Sequence, residues 1–360
     1  MEVGLLSFIT KRLALAIADR VFPGGVVGLV HSNGGQQIVP VGRLTYDLDS
    51  PLVETETVYD LASLTKSVVG TSLLLQLIDS GQVKLNDPLV RYVPEFGTEE
   101  NKQAVTIWHL LTYTLDLELP ALSELARTGH SAEAIWETVF KAPLKCPPGS
   151  HHVYANPTAL LIGLVVEKVT GSRLDRLAAE KFFNPLGMAR TNYSPETHLS
   201  AGIAPTEIDD IWRKREVRGV VHDEAAFVLG KKRPTAIAGL FSTAPDLLKF
   251  LAMLLNKGIK GGRKYFSANL VEAMSTNQLE GSINRTAGLG WAIGQSEMID
   301  LPDDRRIFYK SGFTGTLIAV DPVGGRAFVM LTNRTYPHPP ADSRAINAVR
   351  RDLANIIFGH

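Results

Sequence analysis

The chain of 360 residues has a single cysteine, Cys146, so an intrachain disulfide is impossible and a thiolate-rich structural zinc site is disfavoured. Charge of one sign is not in excess either. Thirty-seven Lys and Arg stand against 37 Asp and Glu, so bulk charge draws the protein to neither a nucleic-acid backbone nor an anionic membrane. No apolar run approaches the ~18 residues needed to cross a bilayer, and the longest candidate is Ala159 to Val166. Also missing are a Walker or dinucleotide-binding glycine pattern, a G-x-S-x-G nucleophile elbow and an H-E-x-x-H pair, while His151, His152 and His338 show no ligand-like spacing. No cofactor, metal or nucleic-acid partner is therefore expected.

The chain does have ordinary globular composition, 45% hydrophobic and 21% charged, and a length that points to about two domains. Leu5, Phe8, Ile9, Leu13, Ile17 and Val21 recur at helical spacing, which predicts an opening amphipathic helix. Lys11, Arg12, Asp19 and Arg20 interrupt the apolar residues before a signal-peptide-length run forms. A cytoplasmic location is accordingly expected, or a periplasmic or secreted one if an export segment precedes this chain. Val26 to Val30 and the stretch around Gln36 to Leu44 read as a hairpin. Leu64 to Ile78 reads as a helix closed by Ser80-Gly81, and three further helical stretches run to Thr170. Residues 185–235 show no sustained periodicity and are expected to form an ordered excursion. Strand signals return in Ile307 to Lys310, Gly315 to Val320 and Arg326 to Asn333, before a final helix from about Asp342 to Phe358.

Strands at both ends with helices between them imply an α/β (α+β) fold, an antiparallel sheet flanked by helices with an inserted helix-rich domain. The expected division is 1–62 with 236–360 for the sheet domain and 63–235 for the helical one, with a cleft at their interface.

Three short patterns could carry chemistry. In Ser63-Leu64-Thr65-Lys66, positions i and i+3 share a helix face, so the lysine can reach the hydroxyl and accept its proton if its own pKa is lowered. Alone this is weak, because S-x-x-K arises by accident about once per chain of such composition. A capping serine beside a solvated lysine reads equally well. Tyr154-Ala155-Asn156 lies on a turn before a helix, and a phenol moves protons near neutrality only where cations depress its pKa. Lys310-Ser311-Gly312 ends a strand, offering a fixed cation, a hydroxyl and a residue that permits close approach of a substrate backbone. Accidental occurrence of the last two is ~0.3 and ~0.2 per chain, and all three in this order and context falls below ~1%. His222-Asp223-Glu224 reads as a loop hydrogen-bond cluster.

With these motifs, Asp60-Leu61-Ala62 before the serine and Gly239-Leu240-Phe241-Ser242-Thr243, the chain resembles the serine β-lactamase and penicillin-binding-protein superfamily. The likeness is to its class C-like branch, which also holds D-stereospecific peptidases (S12) and family VIII-type esterases, and it runs over nearly the whole length. It implies Ser63 as nucleophile, Lys66 as its proton partner, Tyr154 as general base and acid, and Asn156 as a substrate amide contact. It also implies Lys310 and Ser311, with Gly312, on the substrate-carboxylate side, and an oxyanion hole made of the backbone N–H groups of Ser63 and Phe313. The implied activity is acyl transfer to water through an acyl-enzyme, on a β-lactam, an ester or a D-amino-acid peptide. A carboxylesterase or a D-aminopeptidase/DD-carboxypeptidase on the same scaffold, and a non-catalytic binding protein retaining the fold, stand as alternatives. Many relatives read LLTHTSGL where this chain reads Leu110 to Leu117 as LLTYTLDL.

Overall fold

Strands from both ends of the chain share hydrogen bonds in one sheet. The computed structural model describes all residues except 1, 98–99, 196–201, 280, 282, 284, 295, 303–304 and 360. The six strands of this sheet are β1 (Gly24–His31), β2 (Gln36–Gly42), β3 (Ala292–Ile293), β4 (Phe308–Ser311), β5 (Leu317–Asp321) and β6 (Arg326–Thr332), in the order β2-β1-β6-β5-β4-β3. Every pairing is antiparallel, and the N-terminal hairpin joins the C-terminal meander through β1 and β6, where Gly28 faces Val329.

The strands bury both faces, so they read as continuous apolar runs rather than alternating ones. Val27, Leu29, Phe328 and Met330 point to the side covered by α1 (Glu2–Ala18) and the C-terminal helix Arg344–Gly359. Val26, Val30, Val329 and Leu331 point the other way, onto the helix Ala244–Leu255 and the rest of the main core. A Cβ at Gly28 would sit 3.0 Å from Leu248 Cδ1 and 3.1 Å from Val329 Cγ1, so glycine there lets the helix settle closely on the sheet. In α1 the buried stripe is Ile9, Leu13 and Ala16, flanked by Leu5 and Ile17; Phe8, expected on that stripe, lies on the outward side at 37% exposure.

Between the two ends come the helices α2 (Ser72–Asp79), α3 (Ala132–Lys141) and α4 (Asn156–Thr170). A wide π-turn, Lys66–Thr71, leads into α2, and Gly81, in the left-handed region at φ 73°, stops the helix. The aperiodic stretch after residue 185 holds a two-stranded hairpin, Glu207–Asp209 with Arg215–Val217, and α5 (Glu224–Gly230). With α6 for Ala244–Leu255 and α7 for Arg344–Gly359, the two-residue strand Tyr59–Asp60 pairs with Phe241–Ser242 and carries the chain from the sheet to Ser63. Among the described residues no helix is long and apolar enough to cross a membrane.

Helix α7 also fixes the turn that follows β4. Arg350, 4% exposed, donates from Nη2 to the carbonyls of Gly312 at 2.8 Å and Thr316 at 2.9 Å, and from Nη1 to Asn347 Oδ1 at 2.9 Å. Its burial, reinforced by the nearby Arg334 cation, lowers the guanidinium pKa to about 9. Arg350→Met removes these donors and leaves each carbonyl one backbone partner, the Gly315 amide on Gly312 at 3.1 Å and the Gly312 amide on Thr316 at 2.8 Å, so the loss is that of two charge-assisted hydrogen bonds, about 1.5–3 kcal/mol each. The expected result is a lower urea midpoint at unchanged m-value, together with a fall in turnover because the turn beside Ser63 loses its anchor. An unchanged midpoint would show that the carbonyls find other donors.

Candidate active site

Residue Ser63 stands at the mouth of the Lys66–Thr71 turn, and Ala62 before it adopts φ 47° although it is not a glycine. A left-handed alanine costs about 1–3 kcal/mol unless its surroundings hold it there. Here they do. Asp60, 1% exposed, accepts from the Ala62 amide at 2.7 Å through Oδ1 and from the His222 amide at 2.7 Å through Oδ2. Burial raises the Asp60 pKa to about 6, the two amide bonds opposing. Thr65 Oγ1 donates to the Ala62 carbonyl at 2.7 Å, and Thr314 and Thr316 hydroxyls donate to the Asp60 and Leu61 carbonyls at 2.8 and 3.1 Å. The strand-to-helix elbow is thus stitched to the turn after β4.

At Gly312 a Cβ would lie 2.6 Å from the Leu61 carbonyl oxygen, so the approach that requires glycine there is that of the elbow itself. The sequence reading had reserved this space for a substrate backbone; the structure fills it with protein.

Lys66, 2% exposed, places Nζ 2.9 Å from Ser63 Oγ and donates to the Ile237 carbonyl at 2.8 Å. Tyr154, contributed by the loop before α4, lies beside them: the Lys66 Nζ is 5.4 Å from its ring centroid, and Lys66 and Ser63 both favour its ionised form. Lys310 comes in from β4, where alternation puts it on the same face as Phe308, and its Nζ sits 4.3 Å from the Tyr154 ring centroid. Ser63, Lys66, Tyr154 and Lys310 therefore converge, although the last two come from elements 156 residues apart.

The electrostatics follow from that convergence. Tyr154 is 49% exposed, with the Lys310 and Lys66 Nζ atoms 4.3 and 5.4 Å from its ring centroid. Enclosure pushes the phenol pKa up. The Lys310 and Lys66 cations and the hydrogen bonds to Ser63 and Lys66 more than offset it, and the result is about 8 against the ordinary 10. Burial likewise lowers Lys310 from 10.5 to about 8, the Tyr154 oxygen pulling against it and the Lys66 charge adding to it. Lys310 is only 5% exposed and packs over two aromatic rings, those of Tyr154 and, at 4.7 Å, Tyr113.

The two expected oxyanion donors point away from the side chains that hold their carbonyls. In a trans peptide the C=O and N–H point oppositely. Arg350 holds the Gly312 carbonyl at 2.8 Å, which aims the Phe313 N–H away from the arginine, and Thr65 holds the Ala62 carbonyl, which does the same for Ser63 N–H. Neither amide has a protein acceptor among the described residues. Arg334 adds a second grip, donating from Nε to the Phe313 carbonyl at 2.7 Å.

The remaining candidates sit at the rim. Asn156 is the first residue of α4 and donates from Nδ2 to Asp223 Oδ2 at 3.4 Å; Ser311, half-buried, ends β4 opposite Leu317. His222-Asp223-Glu224, expected as a loop hydrogen-bond cluster, instead spans the start of α5, and its residues bond to separate partners. The His222 amide binds Asp60, the Asp223 side chain caps α5, and Glu224 pairs with Arg127 at 2.9 Å.

Tyr113, Asp60, Arg334 and Arg350 were given no role from the sequence. For Tyr113 there was a signal: it replaces the histidine of the relatives' LLTHTSGL text. It is 4% exposed at φ 54°, 5.1 Å from Tyr154 between ring centroids, and its hydroxyl finds no partner. Beside Tyr154 and Asn156 opens a cavity of ≈350 Å³ walled by Leu115, Leu117, Leu119 and Leu122. A larger cavity of ≈480 Å³ around Trp136, Phe140 and Leu164 contains none of the four converging residues. Outside the cluster, Asp116, Cys146 and His151 gather their ligand atoms within 4.8 Å of one another.

The model of the beta-lactamase family matches residues 9–352, and the chain belongs to that family. It is a serine hydrolase, and the alternative of a non-catalytic protein on the same fold gives way. A provisionally named D-alanyl-D-alanine carboxypeptidase of Escherichia coli (strain K12) is 31% identical over 316 residues, covering 79% of this chain and 70% of that one. One of Salmonella agona (strain SL483) is 29% identical over 325 residues, or 82% and 73%. Among solved structures, D-alanine carboxypeptidase AmpC from Burkholderia cenocepacia superposes with TM-score 0.73 at 19% identity, covering 100% of this chain and 99% of that one. EstCE1, a hydrolase with promiscuous acyltransferase activity, gives 0.76 at 20% identity and 98% of each.

If the lysines hold the Tyr154 phenol down, the acidic limb of kcat/KM should rise with a midpoint near pH 8, as the phenol ionises. In Lys310→Met one cation is gone, so the limb should move up toward the ordinary 10. A pH–rate profile whose midpoint stays put in that variant would take Lys310 out of this role.

Proposed function

We propose that the protein hydrolyses an acyl donor by way of a Ser63 acyl-enzyme. The observation that carries this reading is the contact of Ser63 Oγ with Lys66 Nζ at 2.9 Å, with the Tyr154 ring 5.4 Å from the same Nζ and its phenol lowered to about 8. Ser63 Oγ attacks the carbonyl carbon while its proton passes to the Tyr154–Lys66 pair. The developing oxyanion meets the Ser63 and Phe313 amides, a contribution of about 2.7–4 kcal/mol for each donor in comparable sites. Tyr154 returns the proton to the leaving alkoxide or amine as the bond to it breaks, and later takes one from water, which releases the acid and restores the serine.

The substrate class that the geometry favours is an ester or amide with an apolar group. Lys310 is 5% exposed with its Nζ 4.3 Å from the Tyr154 ring centroid rather than presented to solvent, so a carboxylate on the substrate is left to Ser311 and the rim. The leucine-walled cavity next to Tyr154 and Asn156 offers room for an alkyl or aromatic portion. A D-alanyl peptide is the second reading, on the names carried by the Escherichia coli and Salmonella relatives. A β-lactam would enter by the same chemistry.

Intact-protein mass spectrometry should show a transient acyl adduct with a short-chain ester, and the adduct should vanish in Ser63→Ala along with about three orders of magnitude or more in turnover. An adduct persisting at equal stoichiometry in that variant overturns the nucleophile. With p-nitrophenyl esters from acetate to hexanoate, kcat/KM should climb by up to roughly fourfold per methylene, the worth of about 0.8 kcal/mol of burial. Leu119→Asp should flatten the climb. A D-Ala-D-Ala peptide turned over faster than every ester would favour the second reading.

A further inference from the structure

The cavity of ≈480 Å³ takes no part in the hydrolytic reaction, yet it has the size of a small-molecule site, about 300–1,000 Å³. Its walls are α3, α4 and the segment that follows α5. Trp136 and Phe140, one turn apart on α3, stack with ring centroids 5.4 Å apart and planes inclined by 28°, and both residues are only half-buried. Leu160 and Leu164 of α4 and Leu229 of α5 make the floor. Interiors are close-packed, so an opening of this size beside two stacked rings leaves apolar surface that a bound molecule would cover.

Charge selects the class of occupant. Four cationic and four anionic side chains border the cavity, and each already has its opposite. Lys141 pairs with Glu137 at 2.5 Å and Lys168 with Glu95 at 2.7 Å. Arg233 pairs with Glu167 at 3.1 Å, and Lys232 reaches from the segment after α5 to Glu133 on α3. A charged ligand would give up its water for a border with no free counter-charge, so a molecule without net charge is favoured, and the stacked rings favour an aromatic one. The inner side of the cavity backs onto the reacting residues. Ala236, 1% exposed, and Gly163 line it there, and Ala236 fits against Gly70 of the π-turn with no room for a Cβ between them. A ring pressed on Ala236 therefore displaces backbone, and next in the chain is the Ile237 carbonyl that accepts from Lys66 Nζ at 2.8 Å.

We propose that this cavity is a second binding site, for an uncharged aromatic molecule, and that its occupancy slows hydrolysis at Ser63 by shifting the carbonyl that seats Lys66. The ligand lies between the Trp136–Phe140 pair and the leucines, outside the acyl-substrate cleft, so it lowers kcat and leaves KM unchanged. Binding itself does not rest on the acyl-enzyme reading, because it needs no turnover; the effect on kcat does.

The full chain is titrated with N-phenyl-1-naphthylamine, an uncharged probe whose emission rises in apolar surroundings, while energy transfer from tryptophan is read. One saturable equivalent is expected. Its sulfonated counterpart, 8-anilinonaphthalene-1-sulfonate, should bind about tenfold more weakly or worse on the same unsubstituted chain. Ala132→Trp, which puts bulk into the cavity from the first residue of α3, should weaken the neutral probe by about tenfold or more, whereas Trp136→Phe should keep the affinity and cut the energy transfer. Leu119→Asp, in the leucine-walled cavity beside Tyr154, should leave the equivalent in place. With p-nitrophenyl acetate the probe should lower kcat saturably at constant KM, half the effect falling at the binding midpoint. No saturable binding, equal affinity for the sulfonate, an equivalent lost in Leu119→Asp but kept in Ala132→Trp, or binding that raises KM or leaves kcat untouched would each overturn the proposal.

Discussion

The arrangement that the rest of the structure serves is one phenol oxygen held among a serine hydroxyl and two buried lysines. A lysine is seldom fully buried unless it is paired, and here two share a partner. The tendency of Lys310 to shed a proton on burial and the tendency of Tyr154 to lose one beside cations are the same balance seen from two sides. That balance fails if either lysine swings into water, so the fold invests heavily in keeping them dry. Lys66 is seated in a π-turn with the Ile237 carbonyl above it, and Lys310 lies under the rings of Tyr113 and Tyr154 on a strand hydrogen-bonded along both edges.

The second constraint is the elbow that carries Ser63. A left-handed alanine beside a buried carboxylate is costly in two ways, and the structure offsets both with the same bonds: Asp60 takes the Ala62 amide, and Thr314 and Thr316 secure the carbonyls on either side of Leu61. The turn after β4 is in turn gripped from behind by Arg350 and Arg334. The C-terminal helix, remote in sequence from the serine, thus sets the direction of a backbone N–H in the cleft. Both arginines act through backbone carbonyls and are positioning residues.

Much of this was legible in the sequence, for identifiable reasons. Strands such as Arg326–Thr332 and the helix Asn156–Thr170 have long, consistent apolar patterns, and the stops at Gly81 and Gly171 rest on φ values of 73° and 66° that glycine adopts without strain. The three short motifs were readable because each is local, and their joint presence carried the family. What escaped notice depends on contacts between distant segments. Nothing near Arg350 in the sequence announces that its side chain meets Gly312, and Asp116 is separated from Cys146 by 30 positions that only the folded loops bring together. The outward turn of Phe8 was missed because a helical wheel shows periodicity but not how wide the docking strip is.

Ala236, next to the carbonyl-bearing Ile237, fills a notch between two helices. A Cβ at Gly70 would come within 2.8 Å of its methyl, and one at Gly163 within 3.0 Å. Gly70 belongs to the π-turn that begins at Lys66, and Gly163 to the helix that Tyr154 precedes, so one methyl group gauges the spacing of the two segments that supply the reacting side chains. These three positions form a single steric unit: enlarging any one obliges another to shrink or the Ile237 oxygen to retreat from the lysine. Bulk is therefore tolerated far better along the leucine-walled rim than at three of the smallest side chains in the protein.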